Sequence, residues 1–121
     1  MSARTARMLG WAGLALVIVL SLAPLPGATA PPGSDKLGHV LAWLMLAGWW
    51  GLLRPSRPWF TALGLLALGA LLEALQALLP WRQFEPADLL ANLAGVLAGT
   101  LLARSAVGRL FARSFERRAD R

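Results

Sequence analysis

Cysteine is absent from the 121 residues. That excludes a disulfide framework, a thiol nucleophile and a cysteine-based metal site. Charge is scarce as well: 15% of the residues carry one, too few to cover a soluble domain of this length. Histidine occurs once, at His39. β-branched residues are few beside leucine and alanine, which disfavours a sheet. Acidic residues are outnumbered, 6 against 12 basic ones, for a net charge of +6. In a soluble chain that excess would suggest nucleic acid, but no stacking aromatics interleave with the basic residues, so nucleic acid is set aside as a partner. In a membrane protein the same excess marks cytoplasmic flanks and contact with anionic headgroups.

What the chain does have is apolar residues in long blocks. It is 57% hydrophobic with a mean hydropathy of +0.58. The blocks run over about 8–23, 37–53, 59–79 and 87–103, each roughly 16–21 residues, near the ~20 that cross a bilayer as a helix. The connections APLPGATAPPG, RPSRP and PWRQFEP carry the glycines and prolines. The fold class expected is all-α: a polytopic membrane protein with four transmembrane helices, occupying residues 1–103 and followed by a basic tail over 104–121.

Arginine placement orients the bundle. Arg4 and Arg7 precede the first block, Arg54 and Arg57 lie between the second and third, and Arg104, Arg109, Arg113, Arg117, Arg118 and Arg121 follow the fourth. Lys36 and Arg82 alone fall on the opposite side. The positive-inside rule then puts both termini in the cytoplasm and the loops around 24–36 and 80–87 outside. The first thirty residues also read as a signal peptide with a cleavage box at residues 28–30. Pro31 directly after that box suits a peptidase site poorly, so an uncleaved first span is the expectation. In the tail, Val107, Leu110, Phe111 and Phe115 recur at helical spacing among arginines. That pattern describes an amphipathic helix on the inner membrane surface, or equally a frayed basic tail.

The polar residues within these blocks converge on the outer side. Asp35 and His39 are four apart at the start of the second block, Glu73 and Gln76 three apart near the end of the third, Asp88 and Asn92 four apart at the start of the fourth, with Arg82 in the loop between. Glu73 is expected about 10 Å below a helix end at Pro80. Asp88 and Asn92 continue into Gly95 and Gly99, a GxxxG row that lets a neighbouring helix approach, and Gly69 leads into Glu73 and Gln76. A carboxylate that is costly in lipid is tolerable in a wet cavity or beside a partner. The ligand-binding set is therefore Asp35, Lys36, His39, Glu73, Gln76, Arg82, Asp88 and Asn92, with Gly69, Gly95 and Gly99 for helix packing. Plainer roles exist for each: interhelical hydrogen bonds for Glu73, Gln76 and Asn92, helix N-caps for Asp35 and Asp88, a satisfied interfacial histidine for His39, a headgroup anchor for Lys36, a counter-ion to Glu73 or Asp88 for Arg82.

Three stretches, DKLGH at 35–39, EALQ at 73–76 and RQFEPADLLANLAG at 82–95, together resemble the signature of the VanZ-like membrane proteins, over about residues 21–103. Trp43 stands where the family more often has Phe or Tyr. The resemblance implies a four-span bundle in the bacterial cytoplasmic membrane, and a link to glycopeptide (teicoplanin) resistance. It supplies no reaction.

Two classes of function follow. In one, the outward pocket recognises an envelope ligand such as a lipid headgroup or a lipid-linked cell-wall precursor, with Arg82, Lys36 and His39 on phosphate. In the other, the chain is a non-catalytic packing partner of a larger membrane protein, its glycine row and Trp-rich second block serving as contact surfaces. A proton-coupled carrier is a third, disfavoured by the lack of a visible inverted repeat. No nucleophile motif is present, since Thr61 and Thr100 lie on the cytoplasmic side and Ser34 has no triad, so the reading leans away from an enzyme. A divalent metal on Asp35, His39, Glu73 and Asp88 is chemically feasible, but with a single histidine no metal and no cofactor are assigned.

Overall fold

The computed structural model describes residues 1–24 and 34–119, apart from the side chains of Ser34 and of 115–119. The cleavage box at 28–30, Pro31, the side chains of Phe115, Arg117 and Arg118, and Arg121 lie outside that description. Five helices follow in order: α1 (Ala3–Leu22), α2 (Ser34–Leu53), α3 (Pro58–Gln76), α4 (Pro86–Arg104) and α5 (Ala106–Ala119). The fold is all-α.

Three of these helices, not four, are long and apolar enough to cross a membrane: α1, α3 and α4. The exception is α2, long enough at 20 residues but diluted by Asp35, Lys36, His39, three tryptophans and three glycines, none of which partitions into hydrocarbon as leucine does. Boundaries shift too. Ser2 caps α1, its Oγ accepting the Thr5 amide at 3.1 Å, so the helix begins well before the apolar block. Pro58 and Pro86 open α3 and α4 at the first helical position, where a missing N–H costs nothing. α3 ends at Gln76 rather than near Leu79, which puts Glu73 only about one turn from the helix end.

The helices run up and down. At one end the start of α2 meets the start of α4 through Lys36 and Asp88, and the end of α3 meets the end of α1 through Gln76 and Ser21. At the other, Trp49 of α2 donates to the Ala6 carbonyl of α1, and the Arg104 guanidinium of α4 lies 5.7 Å from the Trp59 ring of α3. Trp43, Leu46, Ala47, Ala62, Leu65, Leu72 and Val96 form the apolar core.

α2 and α4 lie closest. A Cβ at Gly95 would strike the Val40 carbonyl and the Trp43 side chain, and one at Gly99 the Leu44 carbonyl and the Gly48 amide. Only a bare backbone fits there. A break at Ser105 then starts α5: Ser105 Oγ accepts the Gly108 amide at 3.3 Å, and Gly108 sits against the Ala103 carbonyl. Val107, Leu110 and Phe111 of α5 are exposed.

The distribution of polarity is inverted relative to a soluble protein. Met45 is 70% exposed and Leu78 79%, while Glu73 is 2% exposed and Gln76, Asp88, Asn92 and Thr100 are all buried. Leucines outside and carboxylates inside is what a lipid solvent requires. With three candidate spans, the chain is a candidate multi-pass membrane protein.

Candidate functional site

At the end of the bundle where α2 and α4 begin, three helices bring ionisable groups together. α2 contributes Lys36 and His39, one turn apart, so both face α4. α4 contributes Asp88 and Asn92, four residues apart and so likewise on one face. α3 contributes Glu73, whose helix is held close because Gly69 leaves room for the Asn92 amide: a Cβ there would lie 3.0 Å from Asn92 Nδ2.

Lys36 is the hub of the outer part. Its ammonium donates to Asp35 at 3.0 Å and to Glu85, and forms an ion pair with Asp88 at 2.6 Å. These contacts precede the apolar run of α2. The Asp88 carboxylate first, then Glu85, holds the lysine well above its ordinary range, and the hydrogen bond from Lys36 holds Asp35 below the usual carboxylate range. Lys36 is thus occupied by three acids rather than extended to headgroups. Asp35 and Asp88 do not act as N-caps. Both sit in first turns, where the helix dipole still favours them.

The inner part is built on His39. Its Nδ1 lies 3.0 Å from Asn92 Oδ1. That oxygen accepts, so the ring carries a hydrogen on Nδ1, and Nε2 is the ring nitrogen nearer Asp88, whose Oδ2 is 3.9 Å away. Glu73 completes the group: a ligand-type atom from each of His39, Glu73 and Asp88 lies within 4.8 Å of the others. Glu73 Oε2 is buried with no hydrogen-bond partner among the described residues.

Two expected members bind the end of α1, Gln76 through the interhelical hydrogen bond expected of it. Arg82 was expected to be a counter-ion for Glu73 or Asp88, but among the described residues it makes no ion pair. Its Nε donates to the Ala23 carbonyl at 3.2 Å, and its Nη2 to the carbonyls of Ala23 and Leu20. Gln76 donates to the Ser21 carbonyl at 2.8 Å, and Trp81 to the Leu22 carbonyl at 3.0 Å. Together they satisfy the four consecutive carbonyls that the end of α1 leaves without helical partners. In an apolar surrounding such orphans cost several kcal/mol each, which is reason enough for an arginine there.

A cavity of about 250 Å³ opens beside the cluster, between the end of α1 and the start of α2. Asp35, Gly38, His39, Trp43, Gln76 and Arg82 line it together with Val17, Leu20 and Ser21. Glu73 is not among its walls.

No protein family, curated protein or solved structure matches this chain.

Sequence reasoning missed Glu85 and Trp81. Glu85 directly precedes Pro86 and lies three residues before Asp88, so the Glu-Pro step at a helix start was its signal. Trp81 had no signal beyond its place in the same connection, because its partner is a carbonyl 59 residues earlier.

Proposed function

We propose that the chain is a small membrane protein of the bacterial envelope, similar to the VanZ-like proteins, whose polar cluster faces outward and recognises the phosphate-bearing headgroup of a membrane lipid or lipid-linked cell-wall precursor. α2 accompanies the three candidate spans across the bilayer: it pairs with the start of α4 through Lys36 and Asp88, and with its end through Gly51 and Ala103, so it runs the full length of α4. Arginines cluster at the opposite end of the bundle from Lys36 and Arg82, which favours cytoplasmic termini.

The observation that carries the ligand reading is the cavity lined by Asp35, His39, Gln76 and Arg82 at the bundle end. Its walls join polar groups to the apolar Val17, Leu20 and Trp43, the mixture an amphiphilic ligand needs. The test is native mass spectrometry of the purified protein. Lipid with a phosphorylated headgroup bound to the wild type, and lost in His39→Ala at unchanged protein yield, supports the reading. Equal lipid on both proteins refutes it. Loss of the protein itself in His39→Ala, with lipid content per molecule unchanged, favours the packing-partner reading.

A further inference from the structure

We infer that His39, Glu73 and Asp88 form a binding site for one divalent transition-metal ion, of the zinc class. The inference stands on this cluster alone and does not depend on the lipid reading or on the orientation in the membrane.

Three side chains from three helices present one imidazole nitrogen and two carboxylate oxygens to a common point, all within 4.8 Å of one another. Zinc binds such donors at about 2.0–2.2 Å, so donor atoms around one ion stand about 3–4 Å apart. His39 Nε2 and Asp88 Oδ2, at 3.9 Å, already have that separation, too long for a hydrogen bond between them.

Independent features point the same way. Glu73 is 2% exposed and its Oε2 has no hydrogen-bond partner among the described residues, so one buried acceptor oxygen of the triad is left open. The Asn92 contact engages Nδ1 and so leaves Nε2 as the ring nitrogen that a metal would take, the arrangement that second-shell partners impose on ligating histidines. Charge is also short. Asp35, Glu73, Glu85 and Asp88 share this end of the bundle with the ammonium of Lys36, which pairs with all of them but Glu73, while Arg82 is committed to the end of α1. A second acidic triad, Asp35, Glu85 and Asp88, has comparable geometry, but Lys36 contacts all three of its members and so already serves as its cation. The inner triad has no such occupant among the described residues.

Chemistry selects the ion. A nitrogen donor disfavours magnesium and calcium, which take oxygen, and the absence of sulfur disfavours copper(I). The cavity beside His39 supplies a route from the bundle surface to the ring. Three protein ligands leave a fourth position for water or a ligand oxygen.

The experiment uses tag-free full-length protein in detergent, stripped with chelator and titrated with Zn²⁺, with bound metal counted by elemental analysis. Wild type is expected to hold one equivalent per chain. Co²⁺ in its place is expected to give visible absorption bands of a nitrogen- and oxygen-ligated centre. His39→Ala and Glu73→Gln should each weaken binding at least a hundredfold. Asn92→Ala, which frees the ring without removing a ligand, should weaken it on the order of 10–100-fold. Glu85→Gln, which alters only the side chain that pairs with Lys36, should change it less than tenfold. A wild type that retains no metal, or a His39→Ala protein that folds and binds like wild type, overturns the inference. If the variants fail to fold, the wild type decides alone: one saturable equivalent, with a melting temperature that rises with Zn²⁺ and not with Mg²⁺, supports the site, and equal effects of both ions refute it.

Discussion

His39 and Asn92 are joined across the α2–α4 interface by a hydrogen bond of 3.0 Å, and Asn92 also meets a third helix, α3, that a single glycine lets in. Asn92 is 4% exposed and has the bare Gly69 of α3 beside its amide. The contact therefore ties the register of α2 to that of α4 while fixing the histidine ring, and it is sensitive to changes on α3.

Asn92→Leu should strand the Nδ1–H of His39 in a half-buried position. The expected loss is about 1–3 kcal/mol, the cost of an unsatisfied polar group. Gly69→Ala should cost a similar amount by pushing the Asn92 amide aside, because the added carbon stands 3.0 Å from Nδ2. Unfolding of the detergent-solubilised protein checks both. A loss under ~0.5 kcal/mol for Asn92→Leu would show that the bond contributes nothing net.

The glycines of α4 make a graded series. Gly99→Ala and Gly95→Ala both drive a methyl into the backbone of α2, so each should destabilise by at least ~1–3 kcal/mol. Gly64→Ala, where nothing lies within 4 Å, should instead stabilise α3 by up to about 1 kcal/mol through helix propensity. Equal effects at Gly64 and Gly99 would mean that α2 and α4 are not in backbone contact.

Arg82→Ala and Glu73→Gln should be additive. Arg82 holds α1 carbonyls, and Glu73 lies beside His39 and Asp88, so among the described residues the two share no contact. A double-mutant cycle on stability is expected to close within ~0.5 kcal/mol. Gln76→Ala with Arg82→Ala should couple, because both act on the same helix end. Rescue of Arg82→Ala by Glu73→Gln would restore the counter-ion role that the geometry denies.

Lys36→Met should be the costliest change in the outer cluster, leaving Asp35, Glu85 and Asp88 together without their ammonium. About 1.5–3 kcal/mol is expected for hydrogen bonds to a charged group. The pH dependence follows from the sign of the shift. The folded pKa of Lys36 is raised above 10.5, so its contribution is complete below that pH and fades only as pH rises through the folded value. Asp35 has the opposite sign: lowered below 3.8, it contributes above that pH and is lost as pH falls through its folded value. The difference between wild type and Lys36→Met should therefore be flat from about pH 5 to 9. A slope near pH 7 would assign the effect to another group.

Orientation is testable without function. Gln83→Cys should react with an impermeant thiol reagent in intact cells, and Ser56→Cys only after permeabilisation. The reverse pattern would invert the bundle and put the polar cluster on the cytoplasmic side.

The sequence by itself determined the helices, because apolar blocks of near-spanning length bounded by proline and glycine have few other solutions. It also determined which residues would be costly in lipid. Asp35, His39, Glu73, Asp88 and Asn92 stood out because each interrupts an apolar block or begins one, and helical spacing alone put them near one end. What spacing cannot express is which donor meets which acceptor across 50 or more residues. Arg82 and Glu73 were an obvious pair by charge, yet Arg82 went to uncharged carbonyls, because a helix end without water leaves backbone acceptors as needy as a carboxylate. Lys36 had no partner in sequence beyond its neighbour Asp35 and gained two only when α4 folded against α2. The glycine row showed that some helix would approach α4; the identity of that helix was decided by the side chains that had to fit around it, Trp43 against Gly95 and Ala47 against Gly99. Solvent dictates local structure and burial residue by residue, whereas pairing depends on the few directions from which another helix can deliver a donor, and those exist only in the packed bundle.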